Sequence, residues 1–126
     1  MIDVSVDGLQ KEIVQAIKDY TEDVQAAIIK EVNQTSKLVL DDVKANSPVR
    51  TGEYRKGWRR SKDGSGGQIK YTIHNKSKGW LTHILEGGYT KRDGKRQPGR
   101  PHLSPAYDKH VPAMESRIEQ IIKDGG

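Results

Sequence analysis

The sequence contains no cysteine and no phenylalanine. The first absence removes disulfides, thiolate nucleophiles and every zinc site that needs sulfur. The second leaves two Trp and five Tyr as the whole aromatic supply. The aliphatic supply is also lean. Leu, Ile and Val make up 26 of 126 residues, just above the ~20% below which a charged chain is expected to stay disordered. The length is that of one ordinary domain, so residues 1–126 are expected to form a single domain with a thin core. Thin cores are commonly supplemented by burial between subunits, which is a first indication of assembly. Also missing is any apolar run near the ~20 residues of a membrane span. Met1 to Asp7 lack the basic region and apolar run of a secretory signal. A soluble protein that stays in the cytoplasm, with no membrane partner, is expected. The chain has no Gly-x-Ser-x-Gly turn, phosphate-binding glycine loop or His-Glu-x-x-His motif. No enzymatic activity and no cofactor are therefore expected.

Ile2, Val4 and Val6 alternate with Asp3, Ser5 and Asp7, the pattern of a short, half-buried edge strand. Gly and Pro are absent from Leu9 to Asn46, where mostly apolar residues recur at spacings of three and four through Leu9, Ile13, Ile17, Tyr20, Val24, Ile28, Val32, Thr35, Val39 and Val43. This predicts helix throughout. Asp19-Tyr20-Thr21-Glu22-Asp23 resembles a new helix start, which favours a short helix followed by a longer one over a single bent helix. Asn46-Ser47-Pro48 ends the run, because proline lacks the donor that would continue the ladder. Tyr54 to Ser61 is expected to be a strand. It is joined through Asp63-Gly64-Ser65-Gly66-Gly67 to the clearest strand of the chain, in which Ile69, Tyr71 and Ile73 alternate with polar residues. Trp80 to Glu86 has helical spacing and should be closed by Gly87-Gly88. Gly88 to Arg100 has no periodicity and is expected to be a loop or a mobile hairpin arm. Ser104 and Pro105 read as the N-cap and first residue of a final helix through Tyr107, Val111, Met114, Ile118 and Ile121. Pro112 inside that run should kink it or move its start. The expected fold is therefore α+β, with a long N-terminal helical region and a C-terminal helix packed on a small antiparallel β-sheet.

Charge is unevenly placed. Lys and Arg number 22 against 17 Asp and Glu, a net charge of +5. Acids outnumber bases from Met1 to Glu31, whereas Arg50, Arg55, Lys56, Arg59, Arg60 and Lys62 face only Glu53 in their segment. A second basic run, Lys91, Arg92, Lys95, Arg96 and Arg100, is opposed only by Asp93. Such runs could neutralise nucleic-acid phosphates or meet acidic protein surfaces. Tyr54, Trp58 and Tyr71 could stack bases, but packing into the core is the favoured reading. The best metal-ligand combination is His83 and Glu86, three apart on one helix, joined by His102. A structural role is favoured instead, with Glu86 accepting hydrogen bonds from the Gly87 loop and His83 packed at the helix edge.

Three blocks in order resemble a family of long-tailed bacteriophage virion proteins, the tail-component or head-tail connector family typified by gene product ten of phage HK-ninety-seven. The first is Ser47-Pro48-Val49-Arg50-Thr51-Gly52-Glu53-Tyr54-Arg55-Lys56-Gly57-Trp58, similar to the family's Pro-x-x-Thr-Gly-x-Leu-Arg after a long helix, with Tyr54 where Leu is usual. The second is Ile73-His74-Asn75 followed by Leu81-Thr82-His83-Ile84-Leu85-Glu86-Gly87-Gly88. The third is Arg100-Pro101-His102-Leu103-Ser104-Pro105-Ala106, similar to the Pro-x-Leu-x-Pro-Ala that opens the family's last helix. The resemblance spans roughly Val32 to Ile122. It implies that Pro48, Thr51, Gly52, Glu86, Gly88, Pro101, Pro105 and Ala106 are structural positions. It also implies a homo-oligomer, expected as a ring, that joins head and tail or completes the tail. Such a protein is made in the host bacterial cytoplasm and resides in the virion, with other neck and tail proteins as partners. Lys91, Arg92, Lys95, Arg96 and Arg100 then either reach a neighbouring subunit or face packaged DNA for non-specific contact. No metal site is implied.

Overall fold

A computed structural model of the chain describes residues 2–3, 10–16, 20–48, 52–64 and 68–125. In chain order the elements are β1 (Ile2–Asp3), β2 (Gln10–Ala16), α1 (Glu22–Asn46), α2 (Glu53–Lys56), β3 (Trp58–Asp63), β4 (Gln68–Asn75), α3 (Gly79–Gly87), β5 (Tyr89–Thr90), β6 (Arg96–Gln97) and α4 (Leu103–Asp124). The fold is α+β. Four strands form an antiparallel sheet in the order β1-β2-β4-β3, and β5 and β6 form a separate two-stranded ribbon.

The alternation read in Ile69, Tyr71 and Ile73 is that of β4, and all three side chains are buried. β2 and β3 flank it, and β1 and β3 are the sheet's edges. The N-terminal strand is thus an edge over Ile2–Asp3, while Val4 and Val6 lie outside the described residues, as do residues 65–67 of the β3–β4 connection.

The helix expected from Leu9 onward is corrected in its first part. Gln10–Ala16 is a strand whose seven residues pair with β4, Ile13 opposite Tyr71. Leu9, Ile13 and Ile17 are four apart, and a spacing of four fits both a helical stripe and one face of a strand. Pairing with a full-length neighbour decides between them, and Ile13 is completely buried. Leu9 and Ile17 lie outside the described residues.

The helix start read in the stretch Asp19-Tyr20-Thr21-Glu22-Asp23 is present, with Thr21 as the N-cap. The Thr21 hydroxyl accepts the Val24 N–H at 3.3 Å, and Glu22 and Asp23 lie against the positive end of the helix dipole. Val24, Ile28, Val32, Val39 and Val43 form the buried stripe of α1. α1 covers β3 and β4, and α4 packs along α1 and reaches β2. On the α4 side the stripe is Tyr107, Val111, Met114 and Ile118. Polar pairs close the seam between the helices, Arg117 Nε to Glu31 Oε2 at 2.7 Å and His110 Nε2 to Asp42 Oδ2 at 2.5 Å.

The strand expected over Tyr54 to Ser61 is also corrected. Its first residues make one helical turn, α2, and β3 begins at Trp58. The turn sets Tyr54 and Trp58 four apart on one side, so both side chains enter the core. Gly57 ends the turn against Asn75, whose Oδ1 would lie 2.5 Å from any Cβ placed there. The last helix starts at Leu103, two residues before the Pro105 start read from the sequence, and Pro112 neither divides it nor delays its start. Pro105 falls in the first turn, where an amide N–H has no intrahelical partner to lose, and Pro112 is on the exposed face. No helix among the described residues is long and apolar enough to cross a membrane.

Candidate functional site

The three sequence blocks, far apart in the chain, converge at the end of α1. Ser47, the C-cap of α1, donates its hydroxyl to Val43 O and accepts the Trp58 indole N–H at 2.8 Å. Arg55 donates to Ala45 O and Ser47 O at 3.4 and 3.3 Å, meeting carbonyls that the helix end leaves without donors. Pro48 follows. Gly52 then adopts φ +86°, a conformation in which glycine is strongly favoured, and opens α2. Thr51 lies outside the described residues.

Above this corner Tyr54, Trp58 and His102 pack edge to face, with ring centroids 5.4 to 5.9 Å apart. The Tyr54 hydroxyl is bonded to Thr82 Oγ1 at 2.9 Å and to His102 Nε2 at 2.5 Å. The other imidazole nitrogen, Nδ1, lies 2.9 Å from Arg100 O and 3.1 Å from Glu86 Oε1. Burial pushes the Tyr54 phenol up to about 12; the Thr82 hydrogen bond opposes the rise and the Glu86 charge adds to it. Asn75 links the second block to the first by donating to Tyr54 O at 2.7 Å. It also accepts the Lys78 N–H at 2.8 Å, which fixes the chain entering α3.

Glu86 has a different partner from the one read in the sequence. Its Oε1 accepts the backbone N–H groups of His102 and Leu103 at 2.6 and 2.7 Å, and Oε2 accepts that of Ser104 at 3.3 Å. The carboxylate is therefore the N-cap of α4, supplied from another helix. It satisfies orphan amides and meets the positive end of the dipole. This also explains why Ser104 is not the cap. With Glu86 so committed and His102 bonded to Tyr54 and Arg100, both residues hold structure in this geometry. The side chain of His83 lies outside the described residues.

What this latch holds is the segment from Gly88 to Pro101. Both of its ends are fixed to the last turn of α3: Gly88 N to Ile84 O at 2.7 Å closes that helix, and Arg100 N to Leu85 O at 2.6 Å brings the far end back to it. They cross so closely that a Cβ at Gly99 would collide with Glu86 O, and one at Gly88 would sit 2.5 Å from Gln97 O. Beyond the crossing the chain forms the β5–β6 hairpin, closed by Lys91 N to Lys95 O at 2.8 Å and turned at Gly94 with φ +84°. Arg96 donates back to Gly87 O at 2.5 Å and is part of the anchor. Lys91, Arg92, Lys95 and Arg100 are exposed, and their side chains have no polar partner among the described residues. Pro101 and Pro105 are exposed beside the anchor, and Ala106 is buried under it.

Beside the hairpin lies an apolar groove of about 640 Å³ lined by Pro48, Tyr54, Leu81, Ile84, Leu85 and Tyr89, with Lys78 at its side. Tyr89 is 45% exposed, and Trp80, on the helix that forms the groove wall, is 61% exposed. Sequence reasoning missed this groove, although Leu81, Leu85 and Tyr89 at intervals of four were its signal. Of the first basic run, Arg55 and Arg59 are turned onto backbone carbonyls and Arg60 onto Asn33. Tyr54, Trp58 and Tyr71 are buried, as the packing reading expected, and are not available to stack bases.

Together these features define an α+β protein whose polar interior latches an exposed cationic hairpin, with groups committed to holding structure. Residues 11–88 match the family described as "Bacteriophage HK97-gp10, putative tail-component", and the chain belongs to that family. The match takes in β2 from its second residue and the first two blocks, and ends where the hairpin begins. No curated protein and no solved structure matches the chain.

Proposed function

We propose that this tail-component family member is a structural protein of the virion of a long-tailed bacteriophage or prophage, joining head to tail or completing the tail by assembling into a ring. It acts through its surfaces and performs no chemistry on a substrate. The observation that carries this reading is the anchored hairpin. The chain commits a half-buried carboxylate, two close-approach glycines and an arginine to presenting Lys91, Arg92, Lys95 and Arg100 beside a groove flanked by Trp80 and Tyr89. Exposed Trp, Tyr and Arg around an apolar depression have the composition of protein interfaces. A second copy of the chain and the neighbouring neck and tail proteins are the partners, and the same cations can touch packaged DNA without reading its sequence.

The test is to locate the protein in the particle. Mass spectrometry of purified virions should detect it, and electron microscopy should place it as a ring at the neck or at the tail end. Absence from virions and from joining intermediates would overturn the proposal.

A further inference from the structure

We infer that the cleft between α1 and the β3–β4 hairpin is a phosphate-binding site, independent of the assembly reading and remote in sequence from the cationic hairpin. The cleft has a volume of about 460 Å³. Its helical wall carries Ala26, Lys30 and Asn33, spaced so that all three lie on one face of α1. Its other wall carries Arg60 and Lys62, two apart on β3 and so on one face of the sheet. Lys62 stands in register opposite Tyr71. β3 is an edge strand, so no further strand closes that side.

The charge lining this cleft is all of one sign. Lys30, Arg60 and Lys62 are the ionised side chains of the lining, and no carboxylate is among them. Lys30 and Lys62 are exposed and have no polar partner among the described residues. Of the acids next in sequence to the two lysines, Glu31 is engaged with Arg117 and Asp63 accepts the Gly64 N–H. Like charges gathered without a counter-charge repel one another, and a bound anion removes that repulsion.

Arg60 is held in place for such a ligand. Its Nη1 donates to Asn33 Oδ1 at 2.6 Å and to Ser36 Oγ at 2.8 Å, and the guanidinium lies over the Tyr71 ring at 5.1 Å. Tyr71 in turn donates its hydroxyl to Asn33 Oδ1 at 3.1 Å. Nε and Nη2 have no partner among the described residues. The planar fork is thus fixed along one side while two donors remain for an oxyanion, the arrangement in which Arg loses least freedom on binding. Two lysines complete a site whose several donors match the several acceptor oxygens of one oxyanion, which favours phosphate over a single carboxylate. The phosphate belongs either to a nucleic-acid backbone or to a free anion, and the binding chemistry is shared.

The experiment titrates the full chain with inorganic phosphate while recording backbone and Arg Nε–H resonances. Binding should shift Arg60 Nε–H and the amides of Lys30, Lys62 and Tyr71. The double variant Lys30→Gln/Lys62→Gln, which alters only exposed and unpaired side chains, should keep the fold and weaken phosphate affinity by about tenfold or more. The hairpin variant Lys91→Gln/Arg92→Gln should bind phosphate as the parent does. A short oligodeoxynucleotide that displaces phosphate, with a salt-dependence slope shallower in the cleft variant by about 0.7 for each strand phosphate it no longer neutralises, identifies a strand phosphate as ligand. Failure to displace it assigns the site to a free phosphate. Absence of cleft shifts, unchanged affinity in the double variant, or equal displacement by polyglutamate would each overturn the inference.

Discussion

Glu86 Oε1 accepts the Leu103 backbone N–H at 2.7 Å, so a carboxylate at the end of α3 caps a helix seventeen residues further along the chain. Because the hairpin leaves and returns between these two residues, the contact sets both where α4 starts and where the cationic loop stands. Glu86→Ala should destabilise the protein by about 1–3 kcal/mol, the range for a buried polar network left without its acceptor. Glu86→Gln keeps an acceptor but loses the charge that faces the helix dipole, and should cost less. Urea denaturation orders the two variants. Hydrogen exchange should show the His102 and Leu103 amides losing protection before the body of α4 does.

The glycines at the crossing give a sharper contrast. Gly99→Ala would push a methyl into Glu86 O, where only backbone can yield, whereas Gly87→Ala meets nothing within 4 Å. Gly99→Ala should therefore lower stability and alter the hairpin resonances. Gly87→Ala, at the end of a helix and free of positive φ, should be neutral or stabilising by up to about 1 kcal/mol. Equal effects from the two substitutions would show that the crossing is not as tight as its geometry indicates.

How far the sequence could be read depends on which interactions are local. The helix start within Asp19 to Asp23, the Val24 to Val43 stripe, the alternation of Ile69, Tyr71 and Ile73, and the closure of α3 at Gly88 all rest on neighbours within a few residues, and all are present. The failures are long-range. Ile13 carries a spacing that suits either a helix or a strand, and only β4 settles it. Ser104 has the chemistry of an N-cap, yet a residue eighteen positions earlier takes the role. Of the candidate site, the basic residues and the flanking motifs were legible. The latch was not, because nothing in the order of Tyr54, Thr82, Glu86 and His102 announces that they share one interior.

The Tyr54 phenol gives the latch a pH dependence with a defined sign. Its folded value, about 12, lies above the ordinary tyrosine value of 10.0. The unfolded chain therefore loses this proton first as pH rises. The associated stability is complete below pH 10 and is lost progressively as pH climbs to about 12. Tyr54→Phe should remove this alkaline component, and it should also lower stability at neutral pH by leaving the Thr82 and His102 partners unsatisfied. Urea midpoints measured across the alkaline range for both proteins test the sign. A parent that gained stability over that window relative to Tyr54→Phe would contradict it.

The last prediction separates the surface from the core. Trp80 is 61% exposed, and Lys91 and Arg92 project from the hairpin, so none of the three contributes to the buried cluster. Trp80→Ala and Lys91→Glu/Arg92→Glu should leave the urea midpoint almost unchanged, within the roughly 0.5 kcal/mol usual for surface substitutions. Their effect should appear in assembly. A central aromatic anchor commonly accounts for about 2 kcal/mol or more of interface energy, so loss of Trp80 should reduce incorporation into particles by about tenfold or more. Reversal of the hairpin charge should act on association rate and its salt dependence. Quantitative mass spectrometry of virions from complemented infections measures incorporation, and light scattering measures self-association. Wild-type incorporation of both variants would remove this face from the assembly surface while leaving the family assignment untouched.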